Sequence, residues 1–257
     1  MVDPRHATRT KTEAPADEAG ALFRPDDPKF YGRRKGKRLK STRQRLIDVL
    51  LPKLLITPPE EGEMLDLPAL FGEDKRAYQL EVGFGNGEHI AAQAEAHPDV
   101  GFIGAEPFIN GVGALLMLIE EKGLTNIRIL TDDVRQLLPA IPPRSLERVW
   151  VLFPDPWPKA RHARRRFVNV AVLDVLAGLM PDGAELRVAS DDKVYVRWSL
   201  IQATNHPLFR WTAEKPEDWR HRWADGFPTR YEAKQIRGAP HYMTFRRANR
   251  TESQGPC

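Results

Sequence analysis

The chain has 257 residues, 41% hydrophobic and 29% charged, which excludes a disordered or fibrous protein and allows one large domain or two small ones. Formal net charge is only +4, so where the cations lie matters more than their total. The single cysteine, Cys257, excludes a disulfide framework and a thiolate metal site and fits a reducing cytoplasm.

No apolar stretch follows the opening Met1-Val2-Asp3-Pro4-Arg5, so no secretory signal is expected. The apolar run 112–119 is far shorter than the about 20 residues a membrane span needs. Residues 1–27 are polar with almost no apolar periodicity and are expected to form a disordered tail, as are 251–257. Residues 29–45 then carry Lys29, Arg33, Arg34, Lys35, Lys37, Arg38, Lys40, Arg43 and Arg45, with no acid before Asp48. Alone, such a run reads as a solvated arm. With a second cluster at Lys159, Arg161, Arg164, Arg165 and Arg166, the two read as an electrostatic footprint for nucleic acid.

From residue 78 the pattern alternates strand and helix. Strands are expected at 78–82, 100–105, 127–130, 148–153 and 185–189, and helices at 88–97, 108–122, 134–140, 167–180 and 193–204. In the second helix Val112, Leu115, Leu116 and Ile119 share one face. This alternation predicts a parallel α/β sheet with right-handed crossovers and helices on both faces, and 28–250 as one domain. Residues 214–230 are turn-rich and carry Trp219, Trp223 and Phe227; 241–247 forms a last strand able to pair antiparallel.

The first strand–helix turn reads Glu81-x-Gly83-x-Gly85-x-Gly87. A dinucleotide fingerprint would need a third glycine at position 88, where Glu88 stands. Glycines let a backbone approach a ligand closely. An acid before them repels a pyrophosphate and suits an ammonium, as in S-adenosylmethionine. Glu106 ends the second strand, placed to accept ribose hydroxyls, a role shared with nicotinamide enzymes. Asp132 and Asp133 follow the third, where an acid or its neighbouring amide reads adenine; each also suits a helix cap. The fourth strand runs into Pro154-Asp155-Pro156-Trp157-Pro158, whose prolines stop the strand and hold Asp155 and Trp157 on a stiff loop. Trp157 fits a base-stacking residue or a buried loop anchor. Asp191 suits a helix cap, and Thr229-x-x-Glu232 suits a capping box. The histidines show no paired ligand spacing, His162 and His206 have no visible partner, and no metal is expected.

Glu81-x-Gly83-Phe84-Gly85-x-Gly87, Phe153-Pro154-Asp155-Pro156-Trp157, Lys159-x-Arg161-His162-x-x-Arg165-Arg166 and Thr229-x-x-Glu232 together resemble the bacterial tRNA (guanine-N7)-methyltransferases that modify guanosine 46. The likeness runs from about residue 30 to about 247, and includes the basic segment Tyr31-Gly32-Arg33-Arg34. It implies a Rossmann-like class I S-adenosylmethionine-dependent methyltransferase fold, a seven-stranded mostly parallel sheet with an antiparallel last strand. By resemblance, Glu81, Gly83, Gly85, Gly87, Glu106, Asp132 or Asp133, and Asp155 hold the donor S-adenosyl-L-methionine, and Asp155 is catalytic. Lys159, Asp191, Thr229, Arg230, Tyr231 and Glu232 match its tRNA-contacting positions. A methyltransferase of another nucleic acid or of a protein, or an inert RNA-binding module on the same fold, are the alternatives. A nicotinamide oxidoreductase is disfavoured by Glu88 and by the lack of a histidine–arginine hydride site. Nothing in the pattern chooses between monomer and homodimer.

Overall fold

Strand β1 (Ala77–Val82) lies in the middle of a sheet that grows outward from it on both sides. On one side β2 (Val100–Ala105) pairs in parallel, with Leu80 opposite Ile103 and Val82 opposite Ala105, and β3 (Ile127–Leu130) extends it. On the other side β4 (Leu146–Leu152) and β5 (Glu185–Ser190) add in parallel. Next, β7 (His241–Arg247) runs antiparallel to β5, and β6 (Phe209–Trp211) antiparallel to β7. The order is β3-β2-β1-β4-β5-β7-β6, seven strands in one sheet. The computed structural model of the protein describes residues 32–73, 75–234 and 236–248. The expected tails at 1–27 and 251–257, and residues 29–31 of the basic run, lie outside them.

Alternation along the strands sends neighbouring residues to opposite faces, and each face has its own core. Phe102 and Ile129 pack with Leu46 of α1 (Ser41–Val49), Ile90 of α4 (Glu88–Ala96) and Leu115 and Leu116 of α5 (Ile109–Lys122). Ile103 and Leu130 face the other way, into a core with Leu173 and Leu176 of α6 (Val170–Leu179) and Tyr195 of α7 (Lys193–Thr204). The stripe expected on α5 is buried throughout: Val112, Leu115 and Leu116 are 0% exposed and Ile119 is 3%. Each such leucine contributes roughly 1.5–3 kcal/mol.

Several elements differ from the sequence reading. α6 begins at Val170, not at 167, because extended Asn169 caps it, its side chain accepting from the Val172 amide at 3.1 Å. The helix expected at 134–140 is two 3-10 turns, Val134–Gln136 and Leu138–Ala140, the second carrying Pro139 at its second position, where the missing amide cannot continue the first. β4 stops at Leu152, one residue early, because Phe153 turns to φ 49°. The basic run is only partly an arm: from Ser41 it is helix α1, anchored by Leu46 at 1% exposure and by Arg45 paired with Glu120 at 2.8 Å. Short pieces α2 (Leu51–Leu54), α3 (Leu67–Phe71), α8 (Glu217–Arg220), α9 (Arg230–Lys234) and strand β6 were not foreseen.

Candidate active site at the carboxyl ends of the strands

A crevice of about 600 Å³ opens beyond the ends of β1 to β4, lined among others by Gly83, Asp132, Asp133, Asp155, Trp157 and Arg165. Its floor is the glycine turn after β1, where Gly83, Gly85 and Gly87 all have positive φ (68°, 59° and 80°). Glu106, 8% exposed, locks this turn: its Oε2 accepts from the Gly85 amide at 2.8 Å and its Oε1 from the Phe108 amide at 2.9 Å. Each oxygen keeps a further lone pair for a ligand hydroxyl. Burial pushes the Glu106 carboxyl up, and the charges of Asp155 and Glu81 add to that, while the two amides pull it down. A dinucleotide site would aim the Gly85 amide at a pyrophosphate. Here a carboxylate already holds that amide, and Glu88 stands in the first turn of α4 where an anion would bind. The site therefore fits a nucleoside without a phosphate chain.

At the end of β3 both acids are engaged. Asp132 Oδ1 accepts from Arg34 at 2.7 Å and from the Asp133 amide at 2.7 Å. Burial would raise the Asp132 carboxyl, but Arg34, the Asp133 amide and Gln136 outweigh it and hold it below its ordinary value. Asp133, 6% exposed, caps the following 3-10 turn through the Arg135 amide at 3.0 Å, and burial drives its carboxyl up. The basic segment is thus tied over the crevice. Asn110 fixes it further, accepting from the Gly36 amide at 2.8 Å and donating to the Lys37 carbonyl at 2.7 Å.

Glu81, expected among the residues that hold the donor, does not line the crevice. Its neighbour Val82 lines the crevice, whereas Glu81, 3% exposed, turns to the α4 side. Its Oε2 accepts from Nδ1 of buried His89 at 2.7 Å. The ring's Nε2 lies 3.3 Å from Gln93 Nε2, and Gln93 also donates to the Asp225 carbonyl at 2.6 Å.

The Pro154–Pro158 loop is held in an uncommon backbone form, with Phe153 at φ 49° and Trp157 at φ 42°. Asp155 stands exposed at the crevice. Trp157 meets His162 edge-on at 5.8 Å, with the Arg165 guanidinium 4.8 Å over its ring, so His162 does have a partner. His206 has one too, Asp174 Oδ1 at 3.1 Å. The cationic run divides. Lys159, Arg161 and Arg164 are exposed, but Arg166 is 4% exposed and points inward.

Of the remaining expected residues, only Tyr231 is seen to reach the glycine turn. Thr229 Oγ1 accepts from the Glu232 amide at 3.1 Å, which is half of a capping box. The Glu232 side chain does not return to Thr229. It is buried, accepting from Tyr242 at 2.6 Å and Arg222 at 2.7 Å, and this pairing drives up the Tyr242 hydroxyl, already raised by burial. Arg230 is exposed, and the ring of exposed Tyr231 reaches over Gly85. Asp192, not Asp191, caps α7; Asp191 accepts from the Arg237 amide at 3.0 Å. The 214–230 segment is pinned by Asp225, which pairs with Arg148 at 3.0 Å and with Arg187, whose guanidinium lies between Trp150 (4.9 Å) and Trp223 (5.3 Å). Sequence reasoning missed His89, Gln93, Arg222 and Asp225, and it grouped Arg166 with the exposed cations. Of these only His89 and Gln93 carried a signal, polar residues on the inner face of a helix just after a ligand-binding turn. Among the described residues no cluster of His, Cys, Asp and Glu can hold a metal, and no helix is long and apolar enough to cross a membrane.

A central parallel sheet closed by reversed last strands is a Rossmann-like fold, and the family match makes it that of a class I S-adenosylmethionine-dependent methyltransferase. Residues 75–243 match the family model described as "Putative methyltransferase". The chain is 55% identical to the tRNA (guanine-N(7)-)-methyltransferase of Rhodospirillum rubrum over 90% of its length and 92% of that relative. It is 48% identical to the enzyme of the same name from Paramagnetospirillum magneticum, over 87% and 94% of the two chains. The chain belongs to the tRNA (guanine-N7)-methyltransferase family. Solved structures overlay more loosely. An rRNA methylase from Streptococcus thermophilus gives a TM-score of 0.47 at 11% identity, over 68% of this chain and 89% of that one. A 16S rRNA (adenine(1408)-N(1))-methyltransferase from Catenulisporales acidiphilia gives 0.46 at 14%, over 73% and 96%.

Proposed function

We propose that the protein transfers a methyl group from S-adenosyl-L-methionine to N7 of guanine at position 46 of tRNA, in the cytoplasm, with 28–250 working as a single methyltransferase domain. The observation that carries this reading is Asp155, exposed on a conformationally locked loop at the acid-lined crevice, with Lys159, Arg161 and Arg164 exposed just beyond it. Glu106 takes the ribose hydroxyls through the lone pairs its backbone bonds leave open. The glycine turn lets the backbone approach the ligand, with Glu81 supporting it from below and Asp132 or Asp133 at the adenine. Bound there, S-adenosylmethionine supplies a methyl group activated by a sulfonium.

Guanine N7 keeps an in-plane lone pair, so its attack on that methyl requires no prior deprotonation. Asp155 therefore has no base to be. Its task is to align the guanine edge and offset the positive charge that develops on the purine. Trp157, carrying Arg165 on its face, borders the same space, and the Thr229, Arg230, Tyr231 and Glu232 segment closes the side nearest the glycine turn. Lys159 and the exposed cations of 33–38 meet tRNA phosphates, and Asp191, which accepts from the Arg237 amide, is a further tRNA contact.

Incubation with labelled donor and unmodified tRNA, followed by nucleoside analysis, tests this. Label is expected in 7-methylguanosine and is expected to vanish when guanosine 46 is replaced in the transcript. Label in another nucleoside, or none, overturns the reading.

A further inference from the structure

Arg166 is the one cation of the 159–166 run that is buried, and its chemistry differs from that of its neighbours. Its Nε donates to the Pro156 carbonyl at 3.0 Å and its Nη2 to the Trp157 carbonyl at 2.9 Å. Its guanidinium also lies 4.6 Å over the ring of Trp198 on α7. The two carbonyls belong to the residues immediately after Asp155. Prolines on both sides of Asp155 and at 158 leave this loop few amides with which to bond itself in place. Its ends are held at positive φ, which costs energy and persists only where the surroundings fix it. A planar fork that bonds two successive carbonyls supplies that constraint, and a lysine ammonium does not have the shape to do so.

The fork itself is anchored at both ends. The Arg166 amide donates to Ala163 at 3.0 Å, and its carbonyl accepts from Asn169, the cap of α6, at 2.9 Å. Trp198 in turn donates through Nε1 to the Val168 carbonyl, and Tyr195 accepts from the Val168 amide at 3.4 Å. Helices α6 and α7 are thereby linked through Arg166 to the backbone of the loop.

We propose that Arg166 is a positioning residue that sets the placement of the Asp155 loop and does not contact tRNA phosphate. The inference deepens the proposed reading of Asp155 and rests on it for its kinetic consequence. Without the fork the loop relaxes from its positive-φ form, and Asp155 moves out of line with the nucleophile and the methyl. Misplacement of this kind, about 1 Å, costs on the order of 10²-fold in rate.

The test uses the full chain with Arg166→Ala, Arg166→Lys and, for comparison, exposed Arg164→Gln. It reads kcat, KM for tRNA, the salt dependence of tRNA binding, and backbone amide exchange across 152–168. Arg166→Ala is expected to lower kcat on the order of 10²-fold with KM and salt slope within about twofold, and to speed exchange at Phe153 and Trp157. Added guanidinium ion at millimolar levels is expected to restore part of kcat, whereas Arg166→Lys does not. Arg164→Gln is expected to do the reverse, raising KM and flattening the salt slope with kcat kept. A raised KM and a flattened slope in Arg166→Ala would show a phosphate contact and overturn the proposal. So would unchanged exchange over the loop, a result that holds even if the wild-type protein makes no 7-methylguanosine. In that last event the proposed function fails while the exchange readout still decides the role of Arg166.

Discussion

Arg34 Nη2 stands 2.7 Å from Asp132 Oδ1, so the basic segment is tied to the end of β3 at the mouth of the crevice. Both partners are well exposed, 50% and 33%, and pairs of that kind are worth at most about 1 kcal/mol. Asp132 is thus easily released to a ligand, whereas Asp133 is buried and holds a cap. Asp132→Asn is expected to lower affinity for S-adenosylhomocysteine by less than about tenfold with no change in melting temperature. Asp133→Ala is expected to cost about 1 kcal/mol of stability as well. Calorimetric titration and thermal melting of both variants check this; equal melting losses would contradict the division of roles.

Asp155→Ala should reduce methyl transfer by at least about 10²- to 10³-fold, the scale of losing a preorganised charge at the reacting atoms. Donor and tRNA affinity should stay within about tenfold, since the side chain is exposed and its loop is held by other residues. Single-turnover rates set beside binding constants read this directly. Near-normal turnover would remove Asp155 from the chemistry.

Burial holds the Glu106 carboxyl above its ordinary value. An acid raised on folding binds more protons folded than unfolded, so it weakens stability as pH rises from the unfolded value, ~4.3, through the folded one. In the proposed donor site binding has the opposite sign, because only the carboxylate can accept two ribose hydroxyls. Affinity for S-adenosylhomocysteine should therefore fall as pH drops through the raised value. Glu106→Gln should flatten that acid limb and weaken affinity at neutral pH by roughly 10- to 100-fold. Titrations in steps down from neutral pH decide it; an acid limb that survives in the variant belongs to another group.

Two glycines of α5 should respond oppositely to alanine. A methyl on Gly111 would run into the carbonyl oxygen of Gly85, a backbone atom of the donor turn that cannot swing aside. Gly111→Ala should destabilise by about 1–3 kcal/mol and abolish measurable donor binding. A methyl on Gly113 would meet Arg43 Cβ at an ordinary 3.5 Å. Gly113→Ala should stabilise by roughly 0.5–1 kcal/mol with donor affinity unchanged. Melting curves with and without S-adenosylhomocysteine distinguish the two.

Arg33, Lys35, Lys37 and Arg38 are exposed and precede the point where the basic run becomes helix. Replacing them with glutamine should reduce the slope of log affinity for tRNA against log salt by roughly 0.7–0.9 for each phosphate no longer neutralised. An unaltered slope would make this segment a lid over the donor crevice and nothing more.

Strand β3, helix α7 and strand β7 were legible to the residue because apolar runs and turn residues bound them closely. β6 was not, since three residues are too few for alternation to register. The row of strand-end acids was legible because the parallel sheet dictates where such ends lie. The direction of each side chain was not. Glu81 sits between Leu80 and Val82, and the strand's own alternation turns it toward His89 instead of the crevice. A run of arginines likewise does not say which guanidinium folds inward; that needed Trp198, more than thirty residues on, to be in place beneath Arg166.

Strand β7 lies between β5 and β6, and among the described residues β6 pairs with no other strand. Because β7 is the last of the seven to be synthesised, the sheet cannot be completed during most of the chain's passage out of the ribosome. Until then β5 presents a bare edge of amides and carbonyls, and Phe209, destined for the core, lacks the β7 strand it packs beside. The nascent protein thus carries β1 to β4, the strands that border the crevice, before its sheet is complete. Premature termination before residue 241 would leave that edge exposed to aggregation, which makes the final strand the step that commits the chain to its native state.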